Sequence, residues 1–468
     1  MEAIQRALEN FLQLICGLED FQRGSVGYRE FQEKLWSNLM ELGREITRAV
    51  LEDHDSYLME HPEEREGWIV QRGPEEKTIL TKFGEVTYKR RYYRHKETGE
   101  KAHLVDVTIG MGPHDRIDPI VQAELVAKAT NVSYAKAGAD QEVPVTKQTV
   151  MNVVRRAGKA PEIEIKESPV KRRVKTLYIE ADEDHVSLQK DRKGRTLQVP
   201  VIYVHEGRSE ENGRTWLRGR FYFAGLEDPE ELWLKVLDYI DANYDISAIE
   251  KIFIGGDGAA WIKTGLKIIP KSIFVLDRYH LGKYLKRAIK RAEYPGLYDE
   301  AWEAIDQCDR AKFNSLMKAA AKLAETEGHK QAIAACRRYV NNNWHGILSY
   351  REHKDTVSSP SAEAHVSHLL SERLSSRPLA WSRLGAGHMA RLRVMQGNGI
   401  DIQKHYATWF SRWEKGPLFA PEQSMRKRRA LIQRYYERLQ AAIPALAGSR
   451  TPLRTALHDL VFPSGRYC

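Results

Sequence analysis

The sequence of 468 residues contains no apolar run that approaches the ~18 residues of a membrane span. Its opening segment, MEAIQRALENFLQLICGLED, carries acids and lacks the basic, apolar and small-residue order of a secretory signal. These absences predict a cytoplasmic protein without a membrane partner.

Cysteine is scarce, and low-complexity tracts and internal repeats are absent. Cys16, Cys308, Cys336 and Cys468 are widely separated and form no CxxC pair. This spacing argues against a disulfide framework and against a cysteine zinc site. Negative charge is also in deficit, because the formal net charge is +9. With 42% hydrophobic and 29% charged residues the chain is typical of a globular protein, and its basic excess favours a polyanionic partner.

Hydrophobic periodicity divides the chain into regions that predict a mixed α/β protein. In chain order they are a helical region (1–60), a small β-ribbon region (67–110), a helix-turn-helix region (117–160), a mixed strand and helix region (174–279), an all-helical stretch (280–357), a further helical region (358–415) and a basic helical C-terminal region (416–468). Within 174–279 the pattern predicts a helix at 229–243 and five strands, at 175–182, 197–205, 216–224, 249–254 and 272–276.

Two patterns in the N-terminal half have a structural and a functional interpretation. A helix for core packing or dimerisation is predicted by apolar residues at spacings of three and four: Phe31, Leu35, Leu39, Leu42, Ile46 and Val50. The segment 88–96, YKRRYYRHK, alternates aromatic and basic side chains. It is either a ribbon that follows DNA phosphates or a solvated basic edge strand.

A helix-turn-helix is predicted before residue 160. A break at 138–140 separates two helical segments, and Thr146 is a plausible N-cap for the second. Gln, Asn and Arg are the side chains that read base edges, although any helical hairpin gives a similar pattern. The outward-facing residues predicted to bind DNA are Lys147, Gln148, Asn152, Arg155 and Arg156.

Acidic residues mark the ends of three elements. Alternation along the first predicted strand of 174–279 places Glu180, Asp182 and Asp184 on one face, which is either a metal site or a polar face in water. Asp257 follows the fourth strand inside a glycine turn, where it either binds a ligand or caps a helix. Glu363 lies in the first turn of a helix, where acids are common in any case.

Together these acids fit one chemistry. Hard oxygen ligands on separate elements can hold Mg²⁺ or Mn²⁺. Two such ions about 4 Å apart stabilise the attacking and leaving oxygens of a phosphoryl displacement.

The order of these acids resembles the DDE transposases of bacterial insertion sequences. The segments IEADEDHVSLQ, IGGDGAAWIK, DRYHLGKYL and SAEAHVSHLLSERLSSRP are similar to those of the ISLre-type group, which is distantly similar to Mutator-like transposases. The resemblance covers nearly the whole chain. It implies a ribonuclease-H-like core formed by 174–279 and 358–415, with 280–357 as a helical insertion.

The resemblance also implies the site. Asp182, Asp257 and Glu363 would be the catalytic residues and would hold two Mg²⁺ or Mn²⁺ ions, with Asp184 the alternative first acid. Asp277 and His280 match a motif of related transposases, a Cys or Asp followed two residues later by His. They are expected to support catalysis, unless they are only a helix cap and a solvated or buried histidine.

Two basic runs are candidate phosphate contacts, with a solvated helix face as the alternative for each. One is the segment after His280, which includes Lys283 and Arg287, and the other is Arg426 to Arg429.

The predicted function is therefore metal-dependent cleavage and joining of double-stranded DNA at transposon terminal inverted repeats and target DNA. We expect a homo-oligomer that associates with the nucleoid when bound to DNA. Two alternatives stay open: a ribonuclease-H-like nuclease without strand transfer, and a non-catalytic helix-turn-helix regulator.

Overall fold

A computed structural model of the chain describes residues 21, 23–162, 165, 167–189, 196–357, 362–376 and 379–411. These residues divide into two compact units. The first runs to Pro161 and resumes at Ile400, and the second runs from Glu162 to Gly399. Within the described ranges, no helix is both long enough and apolar enough to cross a membrane.

The first unit contains the long helix α1 (Tyr28–Glu60) and an antiparallel sheet in the order β1-β2-β3. The strands of this sheet are β1 (Trp68–Thr81), β2 (Gly84–His95) and β3 (Lys101–Ala102). β2 pairs with β1 along its length but with β3 only through Tyr93 and Arg94, and the N–H groups of Lys89 and Arg91 on that second edge donate to Glu52 and Asp55 of α1. The buried residues that form the small core here are Leu51, Ile79, Val86, Tyr88, Val105 and Met111.

Helix α1 packs a different face from the one that the sequence suggested. Met40, Leu51 and Leu58 are buried, whereas Ile46 and Val50 are 47% and 60% exposed. The predicted apolar stripe therefore does not pack into the core of this unit. Its other interpretation, a dimer surface, stays a prediction.

Short helices complete the first unit: α2 (Leu104–Thr108), α3 (Pro119–Asn131), α4 (Tyr134–Ala139), α5 (Lys147–Ala157) and α16 (Ile402–Ser411). Thr146 caps α5 as predicted, because its hydroxyl accepts a hydrogen bond from the Thr149 N–H at 3.2 Å. Helix α16 packs against α3 and so belongs to this unit, whereas the sequence grouped it with 358–415.

The second unit is built on a mixed five-stranded sheet in the order β10-β9-β4-β5-β8. Strands β4, β9 and β10 are parallel, and β5 is antiparallel to both of its neighbours. The strands are β4 (Thr176–Ser187), β5 (Thr196–His205), β8 (Phe221–Ala224), β9 (Lys251–Gly256) and β10 (Ser272–Leu276).

A small hairpin interrupts the predicted third strand of this unit. β6 (Arg208–Glu211) and β7 (Arg214–Leu217) pair with each other through a turn in which Asn212 and Gly213 both have positive φ angles. Only Phe221–Ala224 then joins the main sheet, so the predicted single strand from 216 to 224 is wrong.

Helices cover the sheet, and those between residues 229 and 352 form a large hydrophobic core with its Leu177, Ile179 and Ala181 face. In chain order they are α6 (Pro229–Asn243), α7 (Ala260–Ile268), α8 (Arg278–Ala288), α9 (Pro295–Asp306), α10 (Arg310–Leu323), α11 (Glu327–Asn342), α12 (Trp344–Glu352), α13 (Ala362–Val366), α14 (Glu372–Leu374) and α15 (Arg383–Gly397). A π-helical turn, Ser367–Ser371, joins α13 to α14.

Candidate metal centre

The polar face of the central strand β4 is buried beneath α13 and the π-helical turn. Glu180, Asp182 and Asp184 are 3%, 7% and 5% exposed, so this face is not a solvated sheet surface. Burying three carboxylates is costly unless partners or a cation compensate their charge.

Two of these carboxylates form hydrogen bonds with other side chains of the protein. Glu180 contacts the Tyr203 hydroxyl, and its Oε1 lies 3.2 Å from His205 Nε2. Asp184 Oδ1 accepts hydrogen bonds from the hydroxyls of Ser371 at 3.0 Å and Ser375 at 2.8 Å. These bonds tie β4 to the helical segment that follows Glu363.

Asp182 instead faces two residues from distant parts of the chain. One ligand atom each from Asp182, His280 and Glu363 lies within 4.8 Å of the others. The three come from β4, from the first turn of α8 and from α13. Such a set of carboxylate and imidazole donors can hold a divalent cation.

The electrostatics of the cluster reflect burial and mutual charge. Burial raises the pKa of Asp182 to about 6, with further increases from the Glu363 and Asp257 charges. The hydrogen bond with Asp277 raises the pKa of His280, and the carboxylate of Asp182 acts in the same direction. The site thus already attracts positive charge.

Asp277 holds His280 in place. It is the N-cap of α8, because its Oδ1 accepts a hydrogen bond from the Tyr279 N–H at 2.8 Å. Its Oδ2 lies 2.8 Å from His280 Nδ1. The helix cap that was expected as the alternative is therefore present. His280 is only partly buried, and it also faces Asp182 and Glu363.

Asp257 is close to this cluster without being part of it. β4 pairs with β9 up to Glu180 opposite Gly255, so the continuing strand directions bring Asp182 and Asp257 side by side. The Asp257 Oδ1 accepts a hydrogen bond from the Ala259 N–H at 2.8 Å just before α7. Among the described residues, Asp182, Glu363 and His280 are the ones that the structure brings together, and Asp257 acts on Asp182 and His280 through its charge.

A basic helix surface adjoins the cluster. Lys283 Nζ lies 3.7 Å from Glu363 Oε2, and Lys283, Lys286 and Arg287 are exposed on α8. Further along, Lys290 and Arg291 pair with acids of their own unit. The second predicted basic run, Arg426 to Arg429, lies outside the described residues, as does the predicted region 416–468.

The comparisons with known proteins identify the family. A family profile described as "Uncharacterised protein family (UPF0236)" matches residues 23–412. The chain belongs to the UPF0236 family.

Relatives span most of this UPF0236 chain. One UPF0236 protein of Caldanaerobacter subterraneus subsp. tengcongensis is 40% identical over 405 residues, covering 86% of this chain and 84% of the relative. Another from the same organism is 43% identical over 406 residues, with coverages of 86% and 84%. A "UPF0236 protein in vanSb 3'region" of Streptococcus gallolyticus is 25% identical over 348 residues, with coverages of 72% and 75%.

Among solved structures, the UPF0236 chain matches a "Drosophila P element transposase strand transfer complex". The TM-score is 0.19 and the identity 12%, over 74% of this chain and 91% of that chain.

In the first unit of this UPF0236 protein, the predicted DNA-reading residues separate into two groups. Lys147, Gln148, Asn152 and Arg155 are exposed on α5. Arg156 is not: its guanidinium donates to Asp115 at 2.7 Å and to Gln122 at 3.2 Å, and it lies over the Phe410 ring. The prediction that Arg156 faces outward is therefore wrong.

The aromatic and basic ribbon is mostly structural. Tyr88 and Tyr93 are fully buried, and Arg90 pairs with the buried Asp106. These tyrosines pack in the core and are unavailable for stacking on bases. The exposed Lys89 and Arg94 stay candidates for phosphate contacts.

The sequence patterns missed the residues that support the cluster. Tyr203, His205, Ser371 and Ser375 bind the buried acids of β4. Trp261 donates its indole N–H to Glu183 at 2.9 Å. No local periodicity marks these side chains, because each one becomes relevant only through a contact distant in sequence.

Proposed function

We propose that this UPF0236 protein is a DDE-type transposase that cleaves and joins double-stranded DNA with the help of divalent cations. The observation that carries the proposal is the convergence of Asp182 and Glu363, from opposite ends of the second unit, on the buried polar face of its central strand. The strand order and the single antiparallel partner β5 agree with the ribonuclease-H-like core that the sequence resemblance implies.

The donor set fits divalent cations. In this proposal Asp182, Asp257 and Glu363 hold two Mg²⁺ or Mn²⁺ ions, which when bound would activate the attacking oxygen and stabilise the leaving oxygen. The carboxylate of Asp182 is buried and held rigidly on β4. The carboxylate of Glu363 is exposed, so its side chain can move toward DNA.

The remaining roles belong to one surface in each unit. Lys283 and Arg287 on α8 bind backbone phosphates, and the exposed residues of α5 read the transposon ends. The protein works as a homo-oligomer, since two element ends must be handled together. It associates with the nucleoid of the cell when bound to DNA.

The test uses a plasmid that carries the coding region with its natural flanking DNA. With Mn²⁺ or Mg²⁺, we expect cleavage at the element borders and joining of the free 3′ ends to a target duplex. Asp182→Asn and Glu363→Gln should each remove both reactions while leaving DNA affinity nearly unchanged. The matched control is Glu372→Gln. Glu372 is an exposed acid on the same helical segment as Glu363, and it pairs with Arg393.

The outcomes separate the alternatives. Cleavage without joining would favour a nuclease, and specific binding without any cleavage would favour a regulator built on the helix-turn-helix. If Glu363→Gln cleaves at the wild-type rate, the centre described here is not the active site.

A further inference from the structure

The imidazole of His280 is held in one orientation by a buried carboxylate. Asp277 is 2% exposed, and its backbone N–H donates to the Gly256 carbonyl at 2.8 Å, which fixes it between the ends of β9 and β10. Its Oδ2 lies 2.8 Å from His280 Nδ1. With Nδ1 engaged in this bond, Nε2 is the ring nitrogen left for another partner.

That histidine shares its surroundings with two carboxylates and is only partly exposed. One ligand atom each from His280, Asp182 and Glu363 lies within 4.8 Å of the others. Three ligand atoms that are equally spaced at about 2.1 Å from an ion in their plane lie about 3.6 Å apart, so the group closes around an ion if each atom moves by up to about 0.7 Å. Glu363 can supply this movement because its side chain is 52% exposed.

The arrangement matches how proteins prepare a histidine for metal binding. A ligating histidine commonly donates its second ring N–H to a carboxylate, which sets the tautomer and the ring orientation. The bond between Asp277 and His280 has this form. A purely structural histidine at a helix start does not need to face two further carboxylates.

The donor chemistry bears on the choice of ion. Mg²⁺ prefers oxygen ligands and keeps several waters, whereas imidazole suits first-row transition metals. A site with one nitrogen and two carboxylate donors therefore discriminates against Mg²⁺ more than a site with three carboxylates.

We propose that His280 is a nitrogen ligand of the ion held by Asp182 and Glu363, positioned by Asp277, and that the centre takes Mn²⁺ in preference to Mg²⁺. This inference rests on the proposed function for its choice of site. Its test does not, because ion binding is measured on the full chain without DNA.

The experiment is pulsed EPR of the Mn²⁺-loaded full chain together with Mn²⁺ titration and Mg²⁺ competition. Wild type should show coupling of the Mn²⁺ electron spin to one ¹⁴N nucleus. His280→Gln should lose this coupling and bind Mn²⁺ at least ~10-fold more weakly, with a smaller change for Mg²⁺. Asp277→Asn should weaken Mn²⁺ binding by roughly 10–100-fold. The control is His185→Asn, which removes a half-exposed histidine from β4, the strand that carries Asp182. This variant should behave as wild type.

Circular dichroism and thermal unfolding establish that each variant is folded. Bound Mn²⁺ without ¹⁴N coupling in wild type, or coupling that survives in His280→Gln, would overturn the proposal. So would a wild-type chain that binds no Mn²⁺. A chain that shows the coupling yet cleaves no DNA would leave His280 as a ligand and refute the transposase function, whereas cleavage without coupling would refute only the ligand.

Discussion

At the scale of single residues, Asp182 and Asp184 occupy one face of β4 with different partners. Asp182 faces His280 and Glu363, whereas Asp184 is bonded to Ser371 and Ser375. The strand continues regularly to Ser187, so both acids sit on rigid backbone, contrary to the expectation that the strand ends at Asp182. Their neighbours, rather than the end of the strand, distinguish them.

We predict that Asp182→Asn abolishes strand cleavage and that Asp184→Asn reduces it by no more than roughly 10–100-fold, the usual cost of losing an outer-shell contact. The asparagine oxygen at 184 can still accept the serine hydrogen bonds. Cleavage assays in Mg²⁺ and in Mn²⁺ check both variants. An inactive Asp184→Asn beside an active Asp182→Asn would move the first ligand by two residues.

At the scale of elements, α5 carries both a recognition surface and an anchor. Gln148 and Asn152 are exposed and joined by a 3.1 Å hydrogen bond, while Arg156 is tied to Asp115 and Gln122. Substitutions on this one helix can therefore test DNA recognition, at Gln148 and Asn152, and protein stability, at Arg156.

Replacing Gln148 and Asn152 by Ala is predicted to leave stability unchanged and to remove discrimination between element-end and scrambled duplexes. Base-edge contacts of this type are worth about 1–3 kcal/mol each. Arg156→Ala, by contrast, should lower the unfolding temperature of the protein. Fluorescence anisotropy measures the affinity for each duplex, and calorimetry measures the unfolding temperature. If the double variant discriminates between the two duplexes as well as wild type does, α5 is not the helix that reads the DNA sequence.

The N-cap of α3 gives a prediction about pH. Asp118 accepts a hydrogen bond from the Val121 N–H at 2.7 Å, yet burial raises its pKa to about 6. The folded state thus binds this proton more tightly than the unfolded state. The stability that comes from Asp118 is full at low pH and is lost as the pH rises from about 4 to 6.

Asp118→Asn should remove this dependence, because asparagine is an equally good cap without a charge to bury. We expect similar unfolding temperatures for variant and wild type at pH 4, and a more stable variant at pH 7. Differential scanning calorimetry at both values checks the sign. A variant that loses stability only at pH 7 would mean that the ionised carboxylate stabilises the cap.

At the scale of the whole molecule, α1 carries an apolar stripe that its own unit leaves exposed. Tyr28, Leu39 and Val50 recur every eleven residues, as do Leu35, Ile46 and Tyr57. An eleven-residue repeat keeps side chains on one face of a helix, here along 33 residues or about 50 Å. A stripe of this length suits pairing with a second copy of the chain.

We predict that the triple substitution Leu39→Glu, Ile46→Glu and Val50→Glu converts a dimer into a monomer, because it places charge in the apolar contact. Size-exclusion chromatography with light scattering gives the mass. The control places the same charges off the stripe, at Ser37, Asn38 and Ser56. A wild-type chain that is monomeric at micromolar concentration would contradict the prediction.

Local patterns in the sequence determined many elements by themselves. Periodicity and caps predicted Pro229–Asn243 and Ser272–Leu276 with the bounds that the structure has, and Thr146 as a helix cap. Alternation also separated Ile179 from Asp182 across β4 correctly. These features depend on backbone geometry and on contacts within a few residues, so a short stretch of sequence contains their causes.

Tertiary structure alone decided which residues meet. It buried Met40 instead of the apolar stripe of α1, bonded Arg156 inside its unit, and placed His280 rather than Asp257 in the cluster with Asp182. Each of these outcomes depends on packing between elements far apart in the chain. Periodicity shows that a face is apolar or acidic, but only long-range packing determines what covers that face.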